Sequence, residues 1–167
     1  MSRIFLMLGP LALVVIGVAA VVLNAPSGSG DRATEVPRAV ANDAPLSALV
    51  YHDPNCGCCG EYIAYLRELG VDVRVETSSG AAMTDVKSRY GIDVSMQSCH
   101  TMEIGGYAVE GHVPLEAIEA LLAERPAVRG IALPGMPAGS PGMGGDKAEP
   151  FVIYGFTSDG ESVYVTL

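Results

Sequence analysis

From Ala48 onward the hydrophobic positions change period several times, and each change marks an element. Ala48-Leu49-Val50-Tyr51-His52 is an apolar run that stops at Asp53-Pro54, the pattern of a buried strand feeding a loop. Between Gly60 and Leu69, the residues Tyr62, Ile63, Leu66 and Leu69 recur at helical spacing with Glu61, Arg67 and Glu68 on the opposite side, and Gly70 supplies a stop. Val71 to Glu76 alternates strictly, as a half-buried strand does. A second helix is predicted over Met83 to Tyr90, with Met83, Val86 and Tyr90 inward and Gly91 ending it. Cys99 to Ile104 and Tyr107 to Glu110 flank Gly105-Gly106, which suits the positive φ of a two-residue hairpin turn. Pro114, tolerated at the first helical position, opens an amphipathic helix with Leu115, Ile118, Leu121 and Leu122 inward, ended by Pro126. Gly and Pro dominate Leu133 to Gly145 and exclude regular structure there. Phe151 to Phe156 and Ser162 to Thr166, around Ser158-Asp159-Gly160, form a last hairpin, and no segment repeats another.

The resulting order, β-α-β-α-β-β-α, is that of thioredoxin-like α/β domains: a mixed central sheet flanked by helices, with a reactive loop joining the first strand to the first helix. Here a Gly/Pro/Met-rich loop and a C-terminal β-hairpin are added. The folded domain is assigned to residues 47–167. Upstream, Arg3 precedes an uncharged run from Ile4 to Leu23. The run has the length of about 20 residues that a membrane-spanning helix needs, although Gly9-Pro10 and Gly17 weaken it and Val18-Ala19-Ala20 is a passable cleavage site. Residues 1–25 read as an uncleaved anchor in the inner membrane, with a cleaved signal as the alternative. In both cases Arg3 stays in the cytoplasm and the remainder is delivered outside it. Residues 26–46, rich in Ser, Gly, Asp, Asn, Pro and Ala without an apolar period, read as a flexible linker.

A net charge of -9 with only 10 Lys and Arg argues against nucleic acid as a partner, since phosphate binding relies on cations that displace counterions. The chemistry concentrates instead in Asp53-Pro54-Asn55-Cys56-Gly57-Cys58-Cys59-Gly60, which holds three of the 4 cysteines. Cys56 and Cys59 have the Cys-x-x-Cys spacing of disulfide oxidoreductases, and a thiol at a helix N-terminus has its pKa lowered by the dipole. Cys58 inside the pair spoils a clean dithiol switch. The fourth, Cys99, enters the third strand where thioredoxin-like folds bring a loop, usually with a cis-proline, against the reactive cysteines. Four converging thiolates suit Cu(I), Zn(II) or an iron-sulfur cluster. Crowded sulfurs are better used as bridges, which favours a small Cu(I)-thiolate cluster over a single zinc. Met136 and Met143 in the Gly/Pro loop, and His100 and His112, are candidate additional metal ligands, each with a plain packing or hydrogen-bonding role as the alternative. His52, at a strand end near the cysteines, reads as structural or solvated. A thiol-disulfide oxidoreductase using Cys56 and Cys59 is the rival reading, and a structural disulfide between Cys99 and a loop cysteine is the third.

Beyond spacing, the chain resembles the CopG-like exported copper-resistance proteins, a family filed as a domain of unknown function. The resemblance runs from about Leu49 to Leu167. It rests on Cys56-Gly57-Cys58-Cys59-Gly60, Ser98-Cys99-His100-Thr101, Glu110-Gly111-His112-Val113-Pro114, Leu121-Leu122-Ala123-Glu124-Arg125-Pro126, Gly130 to Pro137, and Gly139-Ser140-Pro141-Gly142-Met143. It implies a thioredoxin-like fold, a periplasmic setting and copper bound through Cys56, Cys58, Cys59 and Cys99. The expected partners are copper ions and other periplasmic copper carriers or exporters. The expected activities are storage or transfer of Cu(I), or cycling of copper between Cu(I) and Cu(II).

Overall fold

The structure, a computed structural model, describes residues 45–167. The expected anchor, and all but the end of the expected linker, lie outside the described residues; among those described, no helix is long and apolar enough to cross a membrane. The elements in order are β1 (Ser47–His52), α1 (Gly57–Glu68), β2 (Asp72–Thr77), α2 (Ala81–Tyr90), a 3-10 turn (Val94–Met96), β3 (His100–Ile104), β4 (Tyr107–Glu110), α3 (Leu115–Glu124), β5 (Gly130–Ala132), β6 (Val152–Phe156) and β7 (Glu161–Thr166). The strands form one seven-stranded mixed sheet in the order β2-β1-β3-β4-β5-β6-β7. β1 runs parallel to β2, and β4 to β5; every other neighbouring pair is antiparallel.

Strand alternation divides the core between the two faces of the sheet. Ala48 and Val50 face Tyr62, Ile63 and Leu66 of α1 and share one cluster with Ile118 and Leu121 of α3, Met102, Val109, Ile131 and Ile153. Tyr51 meets Met83 and Val86 of α2 in another. Each fully buried aliphatic side chain such as Leu66, Ile118 or Leu121 contributes about 1.5–3 kcal/mol, which holds α1 and α3 together over one face.

Several expectations need correction. Leu69, expected on the apolar side of the first helix, is its C-cap and is exposed, because α1 ends at Glu68 and the chain turns there towards β2; α2 begins at Ala81, two residues before Met83. α1 starts at Gly57, so Cys58 and Cys59 lie in its first turn and Cys56 is its N-cap. The reason is a tight turn: the Cys56 amide donates to the Asp53 carbonyl at 3.0 Å, so the chain is already curled when Gly57 is reached. Pro114 is the N-cap of α3, with ψ 144°, so the helix begins one residue later than expected. β5 was not foreseen, because three residues are too few to display a period. Val75 is exposed, since β2 is an edge strand of which only Val73 is buried. The expected positive φ of the β3–β4 turn is present at Gly105 (57°) and Gly106 (87°).

β5 is squeezed between its neighbours at Gly130. A Cβ there would lie 2.0 Å from the Ala108 carbonyl oxygen and 2.7 Å from the Phe156 ring. Gly130→Ala is therefore expected to destabilise the metal-free protein by about 2–3 kcal/mol. Gly60→Ala, inside α1 with no atom near the new methyl, is expected to stabilise it by about 0.5–1 kcal/mol. Urea unfolding of both variants checks the pair; equal stability of Gly130→Ala and the parent chain would mean that β5 is not packed this tightly.

Candidate metal centre

The register of the sheet gathers four connections at one end. His52 at the end of β1 pairs with His100 at the start of β3, Thr101 pairs with Glu110 at the end of β4, and Glu110 pairs with Ala132 at the end of β5. The cysteine turn, the segment entering β3, the Gly111–Pro114 link and the Gly/Pro/Met loop consequently leave from the same rim. Cys58 and Cys99, 41 positions apart in sequence, meet there.

The first of these connections is built by Asp53. Its carboxylate accepts the Asn55 backbone amide at 2.8 Å and the Asn55 side-chain amide at 3.0 Å, an Asx turn that aims the chain into α1. No side chain caps α1 and no acidic residue occupies its first turn. The N–H groups of its first turn are therefore left without a side-chain partner beside the sulfurs. Cys56 and Cys59 are joined by a disulfide, while Cys58 and Cys99 are free. Cys58 Sγ lies 3.4 Å from Cys56 Sγ and 4.0 Å from Cys99 Sγ. All four sulfurs lie within 4.8 Å of one another. The expected convergence is present, and Cys99 is not locked in a structural disulfide.

Two imidazoles complete the cluster. His112 is fully buried, with Nδ1 2.6 Å from the Pro141 carbonyl oxygen and Nε2 3.0 Å from Cys99 Sγ. A carbonyl can only accept, so Nδ1 carries the proton and Nε2 turns its lone pair towards the sulfur, the arrangement that orients ligating histidines. Burial holds His112 below the usual histidine range. His100 Nδ1 lies 3.4 Å from the same sulfur. Burial first, then the neighbouring His112 and Lys87, lower the His100 pKa to about 3, so its ring stays neutral. Burial and then the adjacent Cys58 push the Cys99 thiol up to about 12, so in the metal-free chain Cys99 is protonated and donates to His112. Tyr62 walls off this group, with its ring centroid 4.6 Å from that of His100 and 5.3 Å from that of His112. Its hydroxyl donates to the Val113 carbonyl at 2.7 Å.

Beneath Cys99 sits a buried polar hub. The Glu110 carboxylate accepts the Ser98 backbone amide and the Thr101 hydroxyl, both at 2.6 Å, and pairs with the Lys87 ammonium. Burial pushes the Glu110 carboxyl above its usual range, against the opposing pull of Lys87 and the hydrogen bonds. Lys87, Glu110 and Tyr62 were not among the expected site residues. A signal for Lys87 existed: it follows Met83 by four positions and so lies on the apolar stripe of α2.

The Gly/Pro/Met loop covers the rim. The Ser98 hydroxyl donates to the Gly135 carbonyl, which brings the backbone beside Met136 to the Cys99 segment. Gly142, at φ 75°, lies so close to α1 that a Cβ would stand 2.5 Å from the Tyr62 nitrogen. Met143 follows it, partly buried, whereas Met136 is 53 % exposed. His52 ends β1 partly buried; its Nδ1 and His100 Nε2 are, among the described residues, the buried side-chain polar atoms without a partner. Four sulfurs with neutral imidazole nitrogens form a soft donor set that fits a thiophilic metal ion.

Comparison with known proteins accords with this chemistry. Residues 96–143 match the family model described as "Protein of unknown function, DUF411". No curated protein matches the chain significantly. Two solved structures described as "Copper resistance protein copG", Form 1 and Form 2, are each 44% identical to it and superpose with a TM-score of 0.67. They cover 74% of this chain, which in turn covers 98% and 99% of theirs.

The raised Cys99 pKa has a kinetic consequence, because thiolate is the reactive form. In the metal-free, non-reduced chain, alkylation of Cys99 by iodoacetamide is expected to be slow at pH about 8 and still rising at pH about 10. Site-resolved mass spectrometry measures this; a rate that levels off by pH about 10 would show an unperturbed thiol.

Proposed function

The chain belongs to the family of copper resistance protein copG, and from that premise we propose that it is an exported copper-binding protein of copper resistance and homeostasis. Its four cysteines hold Cu(I) in a multinuclear thiolate cluster. The observation that carries this is the convergence of Cys56, Cys58, Cys59 and Cys99 within 4.8 Å, a spacing at which sulfurs serve several ions by bridging. The cluster forms in the reduced chain. The disulfide must first take up two electrons and two protons, and metal binding then releases the thiol protons. His112, with its lone pair already directed inward, and His100 are the additional nitrogen donors. Met136 and Met143 are candidates for capturing copper at the rim. Imidazole nitrogen also tolerates Cu(II), which supports cycling between Cu(I) and Cu(II) at the same centre. A single zinc is the alternative metal.

The finer structural and cellular assignments belong to the same proposal. The strand order β2-β1-β3-β4, with cysteines at the start of the helix that follows β1, supports a thioredoxin-like core, with β5 to β7 and the Gly/Pro/Met loop as additions. Residues 1–25 tether the chain to the inner membrane, or direct its export and are removed; 26–46 are the linker, and 47–167 work in the periplasm. Other copper carriers or exporters there are the natural exchange partners.

A second reading is favoured by one observation, the disulfide between Cys56 and Cys59 at the N-terminus of α1. On it the protein exchanges disulfides, and turnover of a disulfide substrate by the metal-free chain would survive Cys58→Ser.

Anaerobic Cu(I) titration of the fully reduced chain, with thiol counting, separates the readings. More than one copper per chain is expected, with the multinuclear stoichiometry lost in Cys99→Ser. One tightly held zinc without preference for copper would overturn the cluster.

A further inference from the structure

With Cys56 and Cys59 bonded to each other, the other two sulfurs are not left idle. Cys58 and Cys99 are both free, both partly exposed and 4.0 Å apart. Two sulfurs at about 2.3 Å from a shared ion stand about 4.0 Å apart when the angle at the metal is roughly trigonal, by simple trigonometry. A third donor borders Cys99, namely His112 Nε2 at 3.0 Å from its Sγ, its lone pair committed inward by the Pro141 carbonyl. Cys58 stands outside the close donor group of Cys99, His100 and His112, so a shared ion draws Cys58 and His112 together.

We propose that Cys58, Cys99 and His112 form a mononuclear Cu(I) site that works while Cys56 and Cys59 remain disulfide-bonded. The inference rests on the copper reading above and divides its four sulfurs into two pairs with different duties. Loading one Cu(I) displaces the two thiol protons to solvent and moves no electrons. The disulfide is unchanged. Partial exposure of both sulfurs gives the ion its path in. The buried ring of His112, held between the loop and Cys99, already presents its lone pair to that sulfur, so loading the ion requires Cys58 to close on it. Oxidation of the Cys56/Cys59 pair then lowers the copper capacity of the chain to one ion instead of abolishing it.

The test uses the full chain in its non-reduced form, titrated anaerobically with Cu(I) against a chromophoric Cu(I) chelator, with the disulfide verified by mass mapping. One Cu(I) per chain is expected, with two sulfur donors and a nitrogen donor in its X-ray absorption spectrum. At least a hundredfold weaker binding is expected in Cys58→Ser or Cys99→Ser. The double variant Cys56→Ser/Cys59→Ala, which has only the proposed pair of sulfurs, is expected to keep that one copper and the same spectrum. No tight copper in the oxidised chain, or none in the double variant, overturns the proposal. A reduced chain that binds several coppers while both of these bind none would leave the cluster standing without this site. A reduced chain that binds only one, with the double variant doing the same, would remove the cluster and keep the site.

Discussion

A buried carboxylate holds the functional end of this protein together. Glu110 is fully enclosed, and it binds α2 through Lys87, β3 through Thr101 and the segment entering β3 through the Ser98 amide. Its own backbone carbonyl takes the Leu133 amide, from which the Gly/Pro/Met loop departs. Cys99 is the residue after Ser98, so the sulfur that faces the cysteine turn owes its position to this anchor. Removing one partner of such a pair strands the other charge in an apolar interior, at a cost of about 3–5 kcal/mol. Among the described residues no peptide bond is cis. The Ser98 amide is held by a side chain from the next strand.

Above the anchor, the sulfurs sit in two different settings. At the N-terminus of α1 Cys56 and Cys59 are joined as a disulfide beside the free Cys58, whereas burial beneath Tyr62, His100 and His112 keeps the proton on Cys99. The metal-free centre thus combines a disulfide with two free cysteines, and a thiophilic cation is what would make a dense group of thiolates tolerable there. Tyr62 links the two halves physically. It belongs to α1, packs its ring on both histidines and hydrogen-bonds the residue after His112. Tyr65, one turn on, accepts the Leu115 amide at the start of α3. The helix carrying the cysteines and the link carrying His112 are therefore tied to each other directly.

Much of the fold was legible because the signals were local. The 3.6-residue stripe of α3, the glycine stops of α1 and α2, and the Gly105-Gly106 turn are each encoded within a few residues and appear as expected. The misreadings occur where a neighbour in space decided. The start of α1 depends on hydrogen bonds to Asp53, β5 exists because β4 and β6 flank it, and Val75 is exposed because β2 has no neighbour on its outer side. Lys87 and Glu110 read individually as ordinary charges, and nothing in their separate helix and strand reveals that each neutralises the other.

The sequence by itself determined the chemistry of this protein: which soft ligands are present, that three of them crowd the start of a helix, and that glycine and proline keep Met136 and Met143 on an irregular loop. Residue type and short-range spacing carry that information. Only the tertiary structure decided which sulfurs are paired, which imidazole nitrogen faces Cys99, and that a lysine and a glutamate support it from below. Those outcomes depend on sheet register, which brings His52, His100, Glu110 and Ala132 to one rim. A register is fixed by contacts between strands distant in the chain, and no local pattern records it.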